Sequence, residues 1–374
     1  MKFVISSSVL SSRMQTIGRV IVAKNNLPIL DCFLFEVKDN QLTLTASDNE
    51  TTLSTVMDLA EADANIRFAA NAKTVQDAIK EIPDQPLEIY VNEKNMEVTV
   101  EYRNGKYNFM AQPADEYPVP MTPAEGSPEL HIEAPRLLDN VGRALFATAD
   151  DALRPVMNGI FFDIQTDSLT VVASDGQKLA CSTSLGVTSP AAGSFIIHKK
   201  PSMLLKNILA KTEEVVTIAF DGRNAEIRTE NYRMACRLIE GKYPNYRSVI
   251  PKDNPNVATV NREALIAALR RTLIFSSVVS SLIKLRIDNS KLTVSSSDLD
   301  FAMSAEESLL CDYAGAPLTI GFKGPFLLEL LNNLSGEEVI IRLADGTRAG
   351  VIVPAEQKEN EEVLMLLMPL MIND

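Results

Sequence analysis

RPVMNGIFFDIQTDSLTVVASD, residues 154–175, occurs three times in this chain in altered form. A shift of 127 positions lays LPILDCFLFEVKDNQLTLTASD (27–48) on it without a gap, matching Pro28 to Pro155, Phe35 to Phe162, Leu42 to Leu169 and Asp48 to Asp175. A further shift of 123 brings Ile160, Phe162, Ile164, Leu169 and Val171 onto Ile283, Leu285, Ile287, Leu292 and Val294 of VVSSLIKLRIDNSKLTVSSSD (278–298). Within each run the matched apolar positions lie two residues apart, the period of a strand with one buried face. A polar tetrapeptide, KDNQ, QTDS or DNSK, interrupts them. Each block therefore reads as a β-hairpin, and a hairpin recurring at fixed spacing implies repeated domains.

The flanks repeat as well. Before the hairpins stand VLSSRMQTIGRVIVAK (9–24), PRLLDNVGRALFAT (135–148) and NREALIAALRRTLIF (261–275), with apolar residues three and four apart as an amphipathic helix requires. After them a second helical pattern opens at Lys73, Lys200 and Lys323, again 127 and 123 apart, with Pro201 and Pro325 in the first turn, where proline is tolerated. Further strands with Asn-Gly and Asp-Gly turns follow, and the units close on Tyr117-Pro118, Tyr243-Pro244 and Met368-Pro369. The Pro-rich stretches MTPAEGSPE (121–129) and IPKDNPNVA (250–258) set boundaries, giving domains at 1–125, 126–254 and 255–374. The expected class is α+β, three copies of helix, strands, helix, strands. GKYNFMAQ (105–112) and NYRMACRLI (231–239), the strands ahead of the linkers, are expected to present edges that pair with the next domain.

The cluster ASDGQKL (173–179) could be taken for a catalytic site, but LTASDNE (44–50) and VSSSDLD (294–300) repeat it at the same strand end. Its aspartates suit turns closed by an Asx hydrogen bond. His131 and His198 are the only histidines and lack metal-ligand spacing to cysteine or carboxylate. There is no glycine-rich phosphate loop and no nucleophile elbow, so no enzyme, cofactor or metal is expected. Cys32, Cys181, Cys236 and Cys311 are scattered, as buried thiols are. The longest apolar runs, such as MLLMPLMI (365–372), are too short to span a membrane, and the first residues lack a signal core, which implies a cytoplasmic protein. Net charge is −13, yet the six helical segments sum to +10 and leave −23 on the rest. Positive charge is thus concentrated on the helices, whose summed field would attract an anion.

Five stretches then identify a resemblance: LPIL (27–30) after Lys24, NGIFFD (158–163), VASDGQKLA (172–180), GKYPNYRSVIP (241–251) and LLMPL (366–370). Together with the triple repeat they resemble, over the whole chain, the bacterial sliding clamps, the beta subunits of the replicative DNA polymerase. The resemblance implies DNA-clamp (processivity-fold) domains, two chains closing head to tail into a ring around duplex DNA, with helices lining the hole and antiparallel sheets outside. Such a ring holds phosphates loosely, reads no bases and tethers the polymerase. It departs from the family at Gln177 and Lys178, where members often carry His-Arg, at Ser248, where a second Arg is common, and in Met371 to Asp374 beyond the MPL.

By that resemblance Arg19, Lys24, Lys73, Arg154, Lys199 and Lys200 would meet DNA. Met157, Ser174, Gly176, Gln177, Lys178, Leu179, Pro244, Ser248, Val249, Leu366, Leu367, Met368, Pro369 and Leu370 would form a groove for short hydrophobic peptides. On the residues alone, burial in the core is the alternative for Leu364 and Leu366, though it cannot cover the whole tail, because Pro369 interrupts any strand. Arg103, Lys106, Tyr107 and Phe109 of one chain would face Ile274, Phe275, Glu306 and Glu307 of the other. The implied partners are duplex DNA, a second copy, the polymerase catalytic subunit, an ATP-dependent clamp loader, and other polymerases and repair factors carrying hydrophobic motifs; no membrane is among them. Two other classes stay open on the residues alone: an enzyme whose site assembles across domains, and a repeat-built scaffold that never touches nucleic acid.

Overall fold

The computed structural model describes residues 1–372, and the chain divides into two compact units. One comprises Met1–Pro135 with Met203–Leu238, the other Arg136–Ser202 with the chain from Ile239 onward. The middle repeat is therefore shared between the units. Locally the repeats are as expected, with two helices each: α1 (Ser7–Ile17), α2 (Ala72–Lys80), α3 (Ala134–Leu145), α4 (Lys199–Leu209), α5 (Arg262–Leu273) and α6 (Gly324–Asn332). The side chains of Ser6, Asn71 and Asn261 cap α1, α2 and α5 by accepting from the backbone N–H three residues on.

The three hairpins are Cys32–Lys38 with Gln41–Ser47, Gly159–Ile164 with Ser168–Ser174, and Leu282–Asp288 with Lys291–Asp298. Asp39 and Asn40 in the first and Asn289 and Ser290 in the third have positive φ, as two-residue hairpin turns require. The recurring aspartates close the next turn. Oδ1 of Asp48 accepts from the N–H of Glu50 (3.1 Å) and Thr51 (2.7 Å), that of Asp175 from Gln177 (2.8 Å) and Lys178 (2.9 Å), and that of Asp298 from Asp300 (3.0 Å) and Phe301 (3.3 Å).

The first unit holds two antiparallel sheets. In the smaller the order is Glu61–Ala62, Lys2–Ser6, Pro86–Asn92, Glu97–Tyr102, Gly105–Met110. Gly105–Met110 is its outer strand and has, among the described residues, no strand on its far side. In the larger, eight-stranded sheet, Thr51–Asp58 of the first repeat pairs with Tyr232–Arg237 of the second, Leu53 opposite Met234 and Thr51 opposite Cys236. NYRMACRLI thus pairs with the preceding repeat, which corrects the expectation that it would pair with the following one. Its buried positions Met234 and Cys236 meet the buried Leu53 and Thr51, so this register continues one apolar face across the junction.

The second unit is built on a twelve-stranded sheet in which Lys178–Leu185 of the second repeat pairs with Glu361–Leu367 of the third. Helices α5 and α6 cover one face, where Leu265, Leu269, Leu327 and Leu331 pack on Ile283, Leu285, Phe322 and Ile341. Ion pairs reinforce the junction. Arg143 of α3 donates to Glu361 Oε2 at 3.0 Å, to Asp139 Oδ2 at 3.2 Å and to Ser182 Oγ at 3.3 Å, and Lys358 reaches Asp139 at 2.8 Å. The side chains of Arg143 and Glu361 are each only 9% exposed, so losing Arg143 leaves the Glu361 carboxylate desolvated without its ion-pair partner. Arg143→Met is expected to cost about 3–5 kcal/mol, with Glu361→Leu in the same chain recovering most of it; urea unfolding of the single and double variants measures this.

Candidate peptide groove and charged surfaces

Alternation along Glu361–Leu367 creates two faces from one strand. Val363, Met365 and Leu367 enter the core beneath α5 and α6, while Leu364 and Leu366 turn to the opposite face. There Leu366 meets Val172, Leu179, Ile196, Ile239, Tyr243, Tyr246 and Ala349, with Val156, Phe161, Ile250 and Leu364 at the margin. Phe161 stacks on Tyr243 with ring centroids 4.7 Å apart. Tyr246 donates to Asp163 Oδ2 at 2.8 Å, and Arg247 pairs with the same carboxylate at 3.0 Å. Burial, reinforced by the Asp163 charge, pushes the Tyr246 hydroxyl pKa well up, so this anchor stays neutral.

Several expected groove residues come together on this face and some do not. Leu179 and Leu366 are buried in its floor, Met157 is buried but is not among the side chains packed there, Pro244, Ser248 and Val249 stand exposed along the Tyr243–Val249 segment, and Met368 is 45% exposed. Pro369 and Leu370 are half-buried, Leu370 donating its N–H to Gly321 O at 2.8 Å. Gly176, at φ 90°, and Gln177 form the exposed tip of the Asp175 turn, and Ser174 Oγ donates to Lys178 O at 2.8 Å to close it.

Lys178 and Leu367 are corrections. They lie opposite each other across the strand pair, and both point to the helix face, because neighbours along a strand alternate sides. Lys178 is 5% exposed; its Nζ is bonded to Glu329 of α6 and lies 4.3 Å from the Phe326 ring centroid and 5.3 Å from that of Phe146. It joins strand to helix rather than lining the groove. Leu366, expected in the groove, lies on that face together with Leu364, and Leu367, also expected there, is the core residue. The alternation was readable in the sequence, but which parity faced the helices was not.

Arg154 is also relocated. Its Nε donates to Asp151 Oδ2 at 2.8 Å and its NH2 to Asp175 O at 3.3 Å, and its guanidinium lies where a Cβ on Gly176 would collide at 2.9 Å. It therefore lies across the groove-side turn, hydrogen-bonded to two partners. Of the other basic residues, Arg19 is exposed just after α1 with NH1 3.3 Å from Asn207 Oδ1, and Lys24 and Lys73 are exposed within the same unit. In the second unit Lys199 and Lys200 open α4, Lys199 exposed and Lys200 half-buried.

At the outer strand of the small sheet, Arg103 and Lys106 are exposed and Tyr107 and Phe109 half-buried. Ile274 and Phe275, just beyond α5, are 72% and 38% exposed. Glu306 is exposed, whereas Glu307 accepts two hydrogen bonds from Arg271, at 2.7 and 2.6 Å, which hold its pKa below the usual carboxylate range. Among the described residues no cluster of His, Cys, Asp and Glu could hold a metal ion, and no helix is long and apolar enough to cross a membrane.

The counterparts of the groove in the other repeats have different linings. In the third, Ser280, Ser297 and Ser304 stand near the positions of Met157, Ser174 and Leu179, in a cleft of about 310 Å³ with Lys284 and Glu306. In the first, Leu27, Pro28 and Ile29 border a cleft of about 520 Å³ with Gln112, Asp115 and Glu116. The serine lining of one and the acidic rim of the other distinguish them from the apolar face described above.

Three domain models of the DNA polymerase III beta subunit match the chain: the N-terminal domain over residues 1–121, the central domain over 131–245 and the C-terminal domain over 247–370. The chain is 27% identical over 367 residues to the beta sliding clamp of Pseudomonas putida, covering 98% of this chain and 99% of that one. The crystal structure of the Thermotoga maritima DNA polymerase III beta subunit superposes with a TM-score of 0.91 at 26% identity, with full coverage of both chains. That of the Pseudomonas aeruginosa sliding clamp bound to griselimycin gives 0.94 at 25%, again with full coverage.

Proposed function

The chain belongs to the DNA polymerase III beta subunit family, and from that premise we infer that it is a ring-shaped processivity factor that encircles duplex DNA and tethers the replicative polymerase through the groove around Leu179 and Leu366. The groove carries this reading. It is an apolar face held open by a strand pair and ringed by exposed Val249 and Met368, which suits short peptides anchored by apolar side chains. Methionine repacks around different guests, so polymerases, repair factors and an ATP-dependent clamp loader can share it in turn. The protein is non-catalytic and works in the cytoplasm, with three modules, 1–125, 126–254 and 255–374.

Ring closure follows from internal repetition. Each repeat ends in the same bridge: Gln112 with Ala69, Ile239 N–H to Ile196 O, and Leu370 with Gly321. Counting back three residues makes Phe109, Cys236 and Leu367 equivalent. Cys236 lies opposite Thr51 and Leu367 opposite Lys178, within the chain. The third counterpart of Thr51 and Lys178 is Met303, since Thr52, Leu179 and Ser304 pair with Ser47, Ser174 and Ser297. Phe109 then lies opposite Met303 of a second copy, and the same register sets Lys106 against Glu306. Two chains joined twice this way make a closed ring.

The test is topological. Loaded on circular duplex DNA, the protein should stay bound at high salt and dissociate when the circle is linearised; retention that survives linearisation would refute a ring. It should neutralise few phosphates, and those weakly. Replacing Lys24, Lys73 or Lys199 by Glu is expected to lower the slope of log affinity against log salt by about 0.9 for each phosphate no longer neutralised. Arg154→Glu should leave that slope unchanged and weaken peptide binding, because Arg154 braces the Asp175 turn.

A further inference from the structure

The turn before the outer strand Met303–Asp312 differs from its two counterparts in both length and chemistry. In the first and second repeats the segment from the closing aspartate to the next strand is Asp48–Thr51 and Asp175–Lys178, with no large apolar side chain in either. In the third it is two residues longer, running from Asp298 to Met303, and exposes Leu299 (91%), Phe301 (72%) and Met303 (39%) to solvent. An apolar side chain that exposed has no packing role in the chain itself.

What the counterpart turns do is visible twice. The backbone N–H of Arg237 donates to Glu50 O at 2.9 Å, and the Arg237 guanidinium lies 3.8 Å from the Glu50 carboxylate. The N–H of Met368 donates to Gln177 O at 2.8 Å. Each turn thus receives the residue that follows the last position paired across the junction, Cys236 in one case and Leu367 in the other. The equivalent residue of the first repeat is Met110, one position after Phe109, and it is 64% exposed. Where the first and second repeats pair, a charged residue meets a charged turn; the one unmatched strand end is apolar, and so is the one unmatched turn.

We propose that the Asp298–Met303 turn is an apolar latch that receives Met110 and Phe109 of a second copy, with the Met110 N–H donating to Ala302 O and Phe301 packing against this strand end. The proposal rests on the head-to-tail closure inferred above and adds what it lacks, a contact that distinguishes the seam between chains from the junctions within them. Met110 set against Glu50, or Arg237 against Phe301, would leave a charge facing an apolar side chain, which disfavours the wrong pairing.

A charge exchange tests it. Phe301→Glu and Met110→Arg should each raise the dimer dissociation constant in sedimentation equilibrium at least tenfold, and shorten residence on circular DNA, by placing a charge against an apolar surface. Combining them in one chain should set an arginine beside a glutamate at the seam, one position from where Arg237 meets Glu50 within the chain, and recover at least half of the loss on a logarithmic scale. Single variants that dimerise as the parent does, or a combined variant no tighter than the weaker single one, would overturn the latch. The parent protein and an Ile274→Asp, Phe275→Asp variant are run alongside. A dimeric parent and a monomeric variant keep ring closure intact while the latch fails, whereas a monomeric parent removes both. Both positions are exposed, so far-ultraviolet circular dichroism of each variant should match the parent; a variant that departs from it is replaced by Phe301→Ser or Met110→Ser, for which the same tenfold weakening is expected.

Discussion

Met368→Ala combined with Leu370→Ala is expected to abolish stimulation of polymerase processivity while the ring still forms and is retained on circular DNA. Met368 is 45% exposed beside the apolar face, and Leu370, bridged to Gly321, is half-buried, so neither supports the core in the way Leu367 does. A peptide held by two apolar anchors at about 1.5–3 kcal/mol each, plus backbone hydrogen bonds, binds near the micromolar range. Removing about 2 kcal/mol or more of binding energy from such a complex weakens it roughly thirtyfold, below what a tether at cellular concentration needs. Primer extension on a long single-stranded circle, with retention of the labelled ring scored in parallel, separates loss of tethering from loss of the ring. Normal processivity in this variant would mean that the docking face lies elsewhere.

Ile274→Asp with Phe275→Asp should convert the protein to a monomer at micromolar concentration and eliminate retention on circular DNA. These residues follow α5 directly and are 72% and 38% exposed, although the rest of that helix is anchored through Leu265, Ile266 and Leu269. If they meet Tyr107 and Phe109 of a second copy, the substitution removes two apolar side chains worth about 1.5–3 kcal/mol each and asks the seam to bury two carboxylates, at a further cost of several kcal/mol. Analytical ultracentrifugation reads this directly. Peptide binding should persist, because the groove is made by Leu179, Tyr243 and Leu366 and owes nothing to α5's end. A dimer of unchanged affinity would contradict the assigned seam.

How much of this was legible without coordinates depends on the range of the interaction concerned. The hairpins, their turns and the six helices were readable because each is decided by residues close in sequence: period-two apolar runs, Asx-closed turns, and apolar residues three and four apart. The repetition of those signals at 127 and 123 positions also revealed the triplication, and the residual match in LPIL, VASDGQKLA and LLMPL pointed to the clamp family. The family resemblance, not any local pattern, suggested that the Met368-Pro369 tail lies beside the second repeat, where the Met368 N–H donates to Gln177 O.

What tertiary structure alone decided was which neighbour each open edge takes and which face of a strand meets the helices. A strand's alternation specifies two faces but not which one is covered; only the pairing of Lys178 with Leu367 and the position of α6 show that these two turn inward and that Leu179 and Leu366 turn to the groove. Tyr232–Arg237 pairs backward because Met234 and Cys236 find their buried continuation in Leu53 and Thr51, a match between residues far apart in the chain that no local pattern encodes. Arg154 is diverted for a similar reason: its charge is just as available in the sequence as that of Lys199, but Asp151 and the Asp175 carbonyl stand within hydrogen-bonding reach once the turn has folded. Local periodicity therefore determined the elements and their repetition, while the partners of edges, faces and charges were set by long-range packing, whose energetics depend on where distant segments come to lie.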